Sequence, residues 1–126
     1  MDDVLNQLLQ LEQELQFAKF NEAIAWQIGS QLVEYGREEK LPITIDIMRG
    51  THQLFHASMP GTATDNDEWV KRKVRLVYRF GHSSFYMGQL LKSKGKRIEE
   101  AYLVSETDYA PHGGCFPVIV KGTGVV

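Results

Sequence analysis

Cysteine is nearly absent: Cys115 stands alone among 126 residues. One thiol cannot close an internal disulfide, so a reducing cytoplasm is the expected compartment. There is no excess of basic charge. The formal net charge is −2, which argues against a nucleic-acid partner. Also missing is any run of about 18 apolar residues, so no membrane-spanning helix is expected. The opening stretch MDDVLNQLLQLEQELQ has neither the basic start nor the short apolar block of a secretory signal. Internal repeats and low-complexity segments are missing too.

What is present is an ordinary globular composition, 43% apolar and 24% charged. The length suits one domain with a real core. Residues 3–14 set Val4, Leu5, Leu8 and Leu11 near helical spacing, and Leu15 follows. Asn21 is placed to cap a second helix, whose stripe runs through Ile24, Ile28 and Leu32. Gly36 to Lys40 and then Pro42 predict its end. The period then changes to two. Ile43, Ile45 and Ile47 alternate with Thr44, Asp46 and Met48, and HQLFHAS follows the Arg49–Gly50 turn. A hairpin over 43–58 is predicted.

Asp65 and Glu68 have the spacing of a capping box at a third helix start. The stripe Val70, Val74, Val77, Gly81, Ser84 and Gly88 predicts one long helix. Its glycine-bearing half should lie close against another backbone. A polar turn, short helical turns with Ser105 and Asp108 spaced for a cap, and the loop APHGG come next. CFPVIVKGTGVV predicts a strand, a Lys121–Gly122 turn and the start of another strand. Pro117 makes the first of these an edge strand or a bulged one. The sequence stops at Val126 inside an apolar strand, so the natural chain is expected to continue. Short turns between strands imply antiparallel pairing, and the helices must cover that sheet. The fold class is α/β, of the α+β kind.

Three stretches together resemble the haem-degrading-domain family, the group of GlcG- and HbpS-like proteins, and within it an uncharacterised bacterial and fungal UPF branch. LPITIDIMRGTHQLFHASMPGT is similar to the family's first hairpin, with Met59, Pro60 and Gly61 at a Met-Asp-Gly-like element. DNDEWVKRKVRLVYRFGHSS is similar to its helix, where Lys73, Val74, Val77, Phe80, Ser83 and Ser84 fit the frame. HGGCFPVIVKGTGVV is similar to its Gly-Gly-x-Pro-Ile strand, turn and closing strand. The resemblance covers nearly all of the chain as a single domain, 1–126, without the family's Val-Ser-Gly element and C-terminal helix. It implies a profilin-like antiparallel sheet flanked by helices, and homo-oligomers. It also makes haem a possible cofactor.

The candidate chemistry is weighed residue by residue. His52 and His56 are four apart, about 13 Å along a strand, too far for one mononuclear metal. They read as polar residues of a half-exposed hairpin. His82 in GHSS and His112 in PHGG could each meet haem iron, an anion or a substrate carbonyl. The plain alternative is local hydrogen bonding. Zinc lacks its paired ligands, since Cys115 and His112 find no companion motif. Cys115 is expected to begin a strand and pack inward rather than act as a nucleophile. FGHSSF lacks the second glycine of a nucleophile elbow.

In DNDEWVKRK, the acids serve a helix start, and Asp67–Lys71 and Glu68–Arg72 have the favourable i,i+4 order. Asn66, Trp69 and Lys73 are left without such a duty. Lys73 is the cation expected to face a pocket. Trp69 reads as a core anchor, an oligomer contact or a stacking surface. If the long helix meets the HGG loop, a small anion could lie among Lys73, His82 and the Gly113–Gly114 amides, with Ser83 near. The leading expectation is a cytoplasmic, homo-oligomeric small-ligand binder. The alternative is an oligomeric scaffold or adaptor without catalysis.

Overall fold

In the computed structural model, which describes residues 2–126, the elements run α1 (Asp2–Glu14), α2 (Glu22–Glu38), β1 (Thr44–Arg49), β2 (His52–Ser58), α3 (Thr64–Phe80), α4 (Ser84–Lys94), α5 (Ile98–Tyr102), β3 (Ile119–Val120) and β4 (Gly124–Val125). Asn21 caps α2 as its spacing predicts, its Oδ1 accepting the Ile24 N–H at 2.9 Å. β1 and β2 pair antiparallel from Thr44–Ser58 to Arg49–His52, with a bulge between Ile47 and Met48. Gly29 lets α2 lie directly on this hairpin: a Cβ there would stand 2.5 Å from the Phe55 ring.

The core has two parts. Ala25, Ile45, Ile47 and Phe55 fill the space between α2 and the hairpin. Leu76, Val77, Met87, Leu91 and Ile98 fill the other, where Leu5, Leu8 and Leu9 of α1 pack against them. α3 gives Leu76 and Val77 to the second part and also runs beside β1. The second hairpin, β3 with β4, is antiparallel and bridges to Phe17 through Val120. The Val126 carbonyl accepts from the Gly50 N–H at 3.0 Å and from the Tyr78 hydroxyl at 3.1 Å. Those bonds bring the second hairpin to the turn of the first. Antiparallel hairpins flanked by helices make a mixed α/β fold.

The single long helix is not what forms. Gly81 takes φ +73° and closes α3 through its N–H to the Val77 carbonyl at 2.8 Å. Ser83 then opens α4, its Oγ accepting the Tyr86 N–H at 3.1 Å. An apolar stripe runs on through such a break, because it cannot tell a helical glycine from a left-handed C-cap. The glycine followed by serine is the stop-and-start signal. Close approach holds at Gly88, where a Cβ would lie 2.4 Å from the Pro111 carbonyl oxygen.

The helix start is shifted as well. Asn66 reaches back, its Oδ1 accepting the Ala63 N–H at 2.9 Å, in place of the Asp65–Glu68 box. Asp67 turns to the hairpin instead of to Lys71, and Lys71 pairs with Glu68 at 3.4 Å. Ser105 closes a turn rather than capping a helix: its carbonyl accepts from the Asp108 and Tyr109 N–H groups.

Candidate functional site

Lys73 leaves α3 toward the HGG loop, and the loop backbone makes room for it. Gly114 has φ +128°, and a Cβ there would stand 3.1 Å from Lys73 Nζ. Trp69, one turn earlier, holds the Lys73 ammonium 5.7 Å from its ring centroid and the Arg72 guanidinium at 4.3 Å. Arg72 is fixed in turn on the Glu106 carbonyl, at 3.1 Å from Nε. His112 meets the Trp69 ring edge-on, centroids 5.8 Å apart, and its Nε2 lies 2.9 Å from Glu106 Oε1. β1 supplies the facing wall. The resulting cavity, about 450 Å³, is bordered by Asn66, Trp69, Lys73, Gly114, Cys115 and Asp46, with apolar contacts from Leu32, Ile43 and Ile45.

Asp46 is the buried charge of this site, its side chain 7% exposed. Its Oδ1 accepts from Gln53 Nε2 at 2.7 Å and faces His56 Nδ1 at 3.0 Å. The other imidazole nitrogen of His56 lies 3.3 Å from Asp67 Oδ1 on α3. One imidazole thus stands between two carboxylates and clasps the hairpin to the start of α3. Since its two nitrogens face different acids, the trio cannot surround one ion. Among the described residues no three His, Cys, Asp or Glu side chains gather to hold a metal. Burial pushes the Cys115 thiol up to about 11, against the pull of the Lys73 charge. Cys115 lies ahead of β3 instead of beginning a strand, and Ser84 Oγ accepts its backbone N–H at 3.0 Å.

Asn66, Trp69, Lys73 and Gly114 share that cavity, although the Asn66 oxygen is spent on its cap. His112 and Gly113 line an adjoining cavity of about 360 Å³, with Phe85, Gln89, Lys92 and Lys96. His82 and Ser83 lie elsewhere, at the α3–α4 junction. His82 Nδ1 is 2.7 Å from Glu12 Oε1, and the Ser83 N–H donates to Glu12 Oε2 at 3.2 Å. Glu12 is 4% exposed, so His82 and Ser83 tie α1 to this junction. The expected convergence of His82 with Lys73 is not found. Asp46 escaped the sequence reading, which took His56 only as a polar residue of the hairpin and gave Asp67 to Lys71. Counting the register from the turn pairs Asp46 with Phe55; the bulge between Ile47 and Met48 moves it opposite His56, and nothing local in the sequence marks that shift.

The sequence profile of the family described as "Haem degrading protein HbpS-like" matches residues 20–126. The chain belongs to this family. A UPF0303 protein of Streptomyces coelicolor is 47% identical over 120 residues, 95% of this chain and 76% of that protein. A UPF0303 protein of Rhizobium etli is 44% identical over 126 residues, all of this chain and 76% of that protein. The crystal structure of Ybr137w protein matches with a TM-score of 0.86 at 34% identity, over 94% of this chain and 70% of that one. The mixed α/β fold is thus shared with the Ybr137w protein.

The family description raises haem. An axial imidazole needs a free nitrogen facing a cavity, and the propionates need cations. His112 borders such a cavity, with Nε2 on Glu106 and Nδ1 uncommitted among the described residues. A carboxylate on the far nitrogen is the usual way a ligating imidazole is oriented. Lys92, Lys96 and Arg97 border the same cavity, and Phe85, Leu91 and Ile98 give it apolar surface. His56 has a carboxylate at each nitrogen, and His82, held by Glu12 through one nitrogen, lies at the α3–α4 junction and does not border the cavity of Lys92, Lys96 and Arg97. The residues around His112 fit the group. No helix of the described residues is long and apolar enough to cross a membrane.

Proposed function

We propose that this HbpS-like chain binds a small anionic ligand in the cavity between α3, β1 and the HGG loop, as a cytoplasmic homo-oligomer. Lys73 carries the reading. Lys73 is half-buried, and its ammonium has no carboxylate partner among the described residues. It is walled by Trp69 on one side and Gly114 on the other. A partly desolvated cation favours a counter-charge, and the apolar walls strengthen that attraction. An open cavity at these residues also favours a binder over a scaffold, which would fill it. Trp26 and Tyr35 of α2 are 66% and 55% exposed, and such apolar surface suits contact between copies.

Native mass spectrometry of the protein taken from its own cells tests both parts. The expected spectrum has a multiple of the chain mass plus a small retained mass that Lys73→Met loses. A bare monomer in both samples sinks the reading.

A second reading is favoured by the His112–Glu106 pair beside three cations: haem held at the adjoining cavity. Titration with haem should then shift the Soret band, and His112→Ala should lose the shift. No shift with the unaltered protein removes haem from consideration.

A further inference from the structure

The cavity bordered by Lys73 is also bordered by Asp46, and the two form no ion pair with each other. That arrangement calls for an explanation. A carboxylate 7% exposed is strongly desolvated, and such groups are normally well supplied with donors. Asp46 is supplied on one side only. Gln53 Nε2 and His56 Nδ1 both lie against Oδ1, at 2.7 and 3.0 Å. Among the described residues no donor reaches Oδ2. Nor is Oδ2 sealed in protein: among the described residues the buried oxygens without a hydrogen-bond partner are Glu99 Oε1 and Asp67 Oδ1, the latter meeting His56 at ion-pair distance only. It keeps access to open space, and Asp46 borders this cavity and two others, one shared with His56 and Asp67 and one with Phe116, Pro117 and Val118.

Charge bears on the same point. Protonation of His56 adds one positive charge between two acids, Asp46 and Asp67. The Asp46–His56–Asp67 cluster therefore stays net negative whether or not the imidazole is charged, and Asp46 is its member that borders the Lys73 cavity. Gln53 adds no charge, and Lys71, which also borders the space beside His56, is paired with Glu68. A ligand carrying only negative charge would meet attraction at Lys73 and repulsion at Asp46.

We propose that the cavity selects carboxylates that also carry an N–H or O–H donor, of the amino-acid or hydroxy-acid type, with a small apolar side chain. The carboxylate meets Lys73, and the donor meets Oδ2 of Asp46. Leu32, Ile43, Ile45, Val70 and Val74 receive the apolar part, within a volume of about 450 Å³. This inference rests on the reading that Lys73 binds an anion, and it adds what the other end of the ligand must be.

Three probes of similar shape separate the two ideas. Leucine has both groups, isocaproate lacks the donor, and isoamylamine lacks the anion. Calorimetric titration should rank leucine about tenfold or more above isocaproate, the worth of one charge-assisted hydrogen bond. Isoamylamine should be the weakest. In Asp46→Asn the advantage of leucine over isocaproate should disappear. Should that variant fail to fold, the ranking on the unaltered protein still decides. Isocaproate binding as tightly as leucine overturns this inference and leaves the anion reading standing. No measurable binding of leucine or isocaproate overturns both.

Discussion

Lys73 Nζ and Gly114 define each other's positions: the ammonium lies where it would be only 3.1 Å from a Cβ at residue 114. The backbone there has φ +128°, a region that side chains disfavour. Gly114→Ala should therefore act twice. Backbone strain should lower stability by about 1–3 kcal/mol. The added methyl should also push the ammonium from the cavity and weaken isocaproate binding. Urea unfolding and calorimetric titration read the two effects separately. Unchanged binding would mean that Lys73 does not use this position.

Glu12 holds two elements at once, through His82 and the Ser83 N–H. Glu12→Ala leaves the Ser83 donor buried without its partner and His82 without its acid. A loss of about 2–4 kcal/mol is expected in urea unfolding. Glu12→Gln keeps the shape and part of the bonding, so it should lose less. A change under about 0.5 kcal/mol for the alanine variant would contradict a structural role for Glu12.

Much of the fold is legible before any coordinates. Helical spacing locates α1, Asn21 starts α2, and period-two alternation marks the first hairpin. These are local patterns, and local patterns are what a sequence displays. The break at Gly81 is hidden because the apolar stripe continues through it into α4. The site is legible only along α3 and the HGG loop, where Trp69, Lys73 and Gly114 are close in sequence or in motif. Asp46 becomes part of it through packing of β1 on α3, and Glu12 reaches His82 across 70 residues of sequence. A carboxylate in a glutamine-rich helix carries no mark of its burial, because its partners are set by tertiary packing.

Cys115 should behave as a protected thiol. Its pKa is raised to about 11 by burial, from an ordinary 9.0. At about pH 8, iodoacetamide should modify it roughly 100-fold more slowly than a free thiol, because the thiolate is the nucleophile. The sign for stability follows from proton counts. Between about pH 9 and 11 the unfolded chain loses the thiol proton and the folded one keeps it. Stability from this group is thus full below that window and falls as pH rises through it. Cys115→Ala should flatten that part of the unfolding profile, measured by urea midpoints.

Gly88 is expected to tolerate no side chain. A Cβ would meet the Pro111 carbonyl at 2.4 Å, and a carbonyl of a buried proline cannot easily retreat. Gly88→Ala should cost about 1–3 kcal/mol despite alanine's better helix propensity, as overpacking does. Unfolding midpoints matching the unaltered protein would show that the 111–113 loop moves freely.

The central claim is that an anion sits against Lys73. Amide proton–nitrogen correlation spectra recorded during titration with sodium isocaproate test it most directly. Saturable movement of the Gly114 and Cys115 amides and the Trp69 indole, abolished in Lys73→Met, is the predicted result. Movement confined to the Lys92–Arg97 turn, or unchanged in Lys73→Met, would contradict the account.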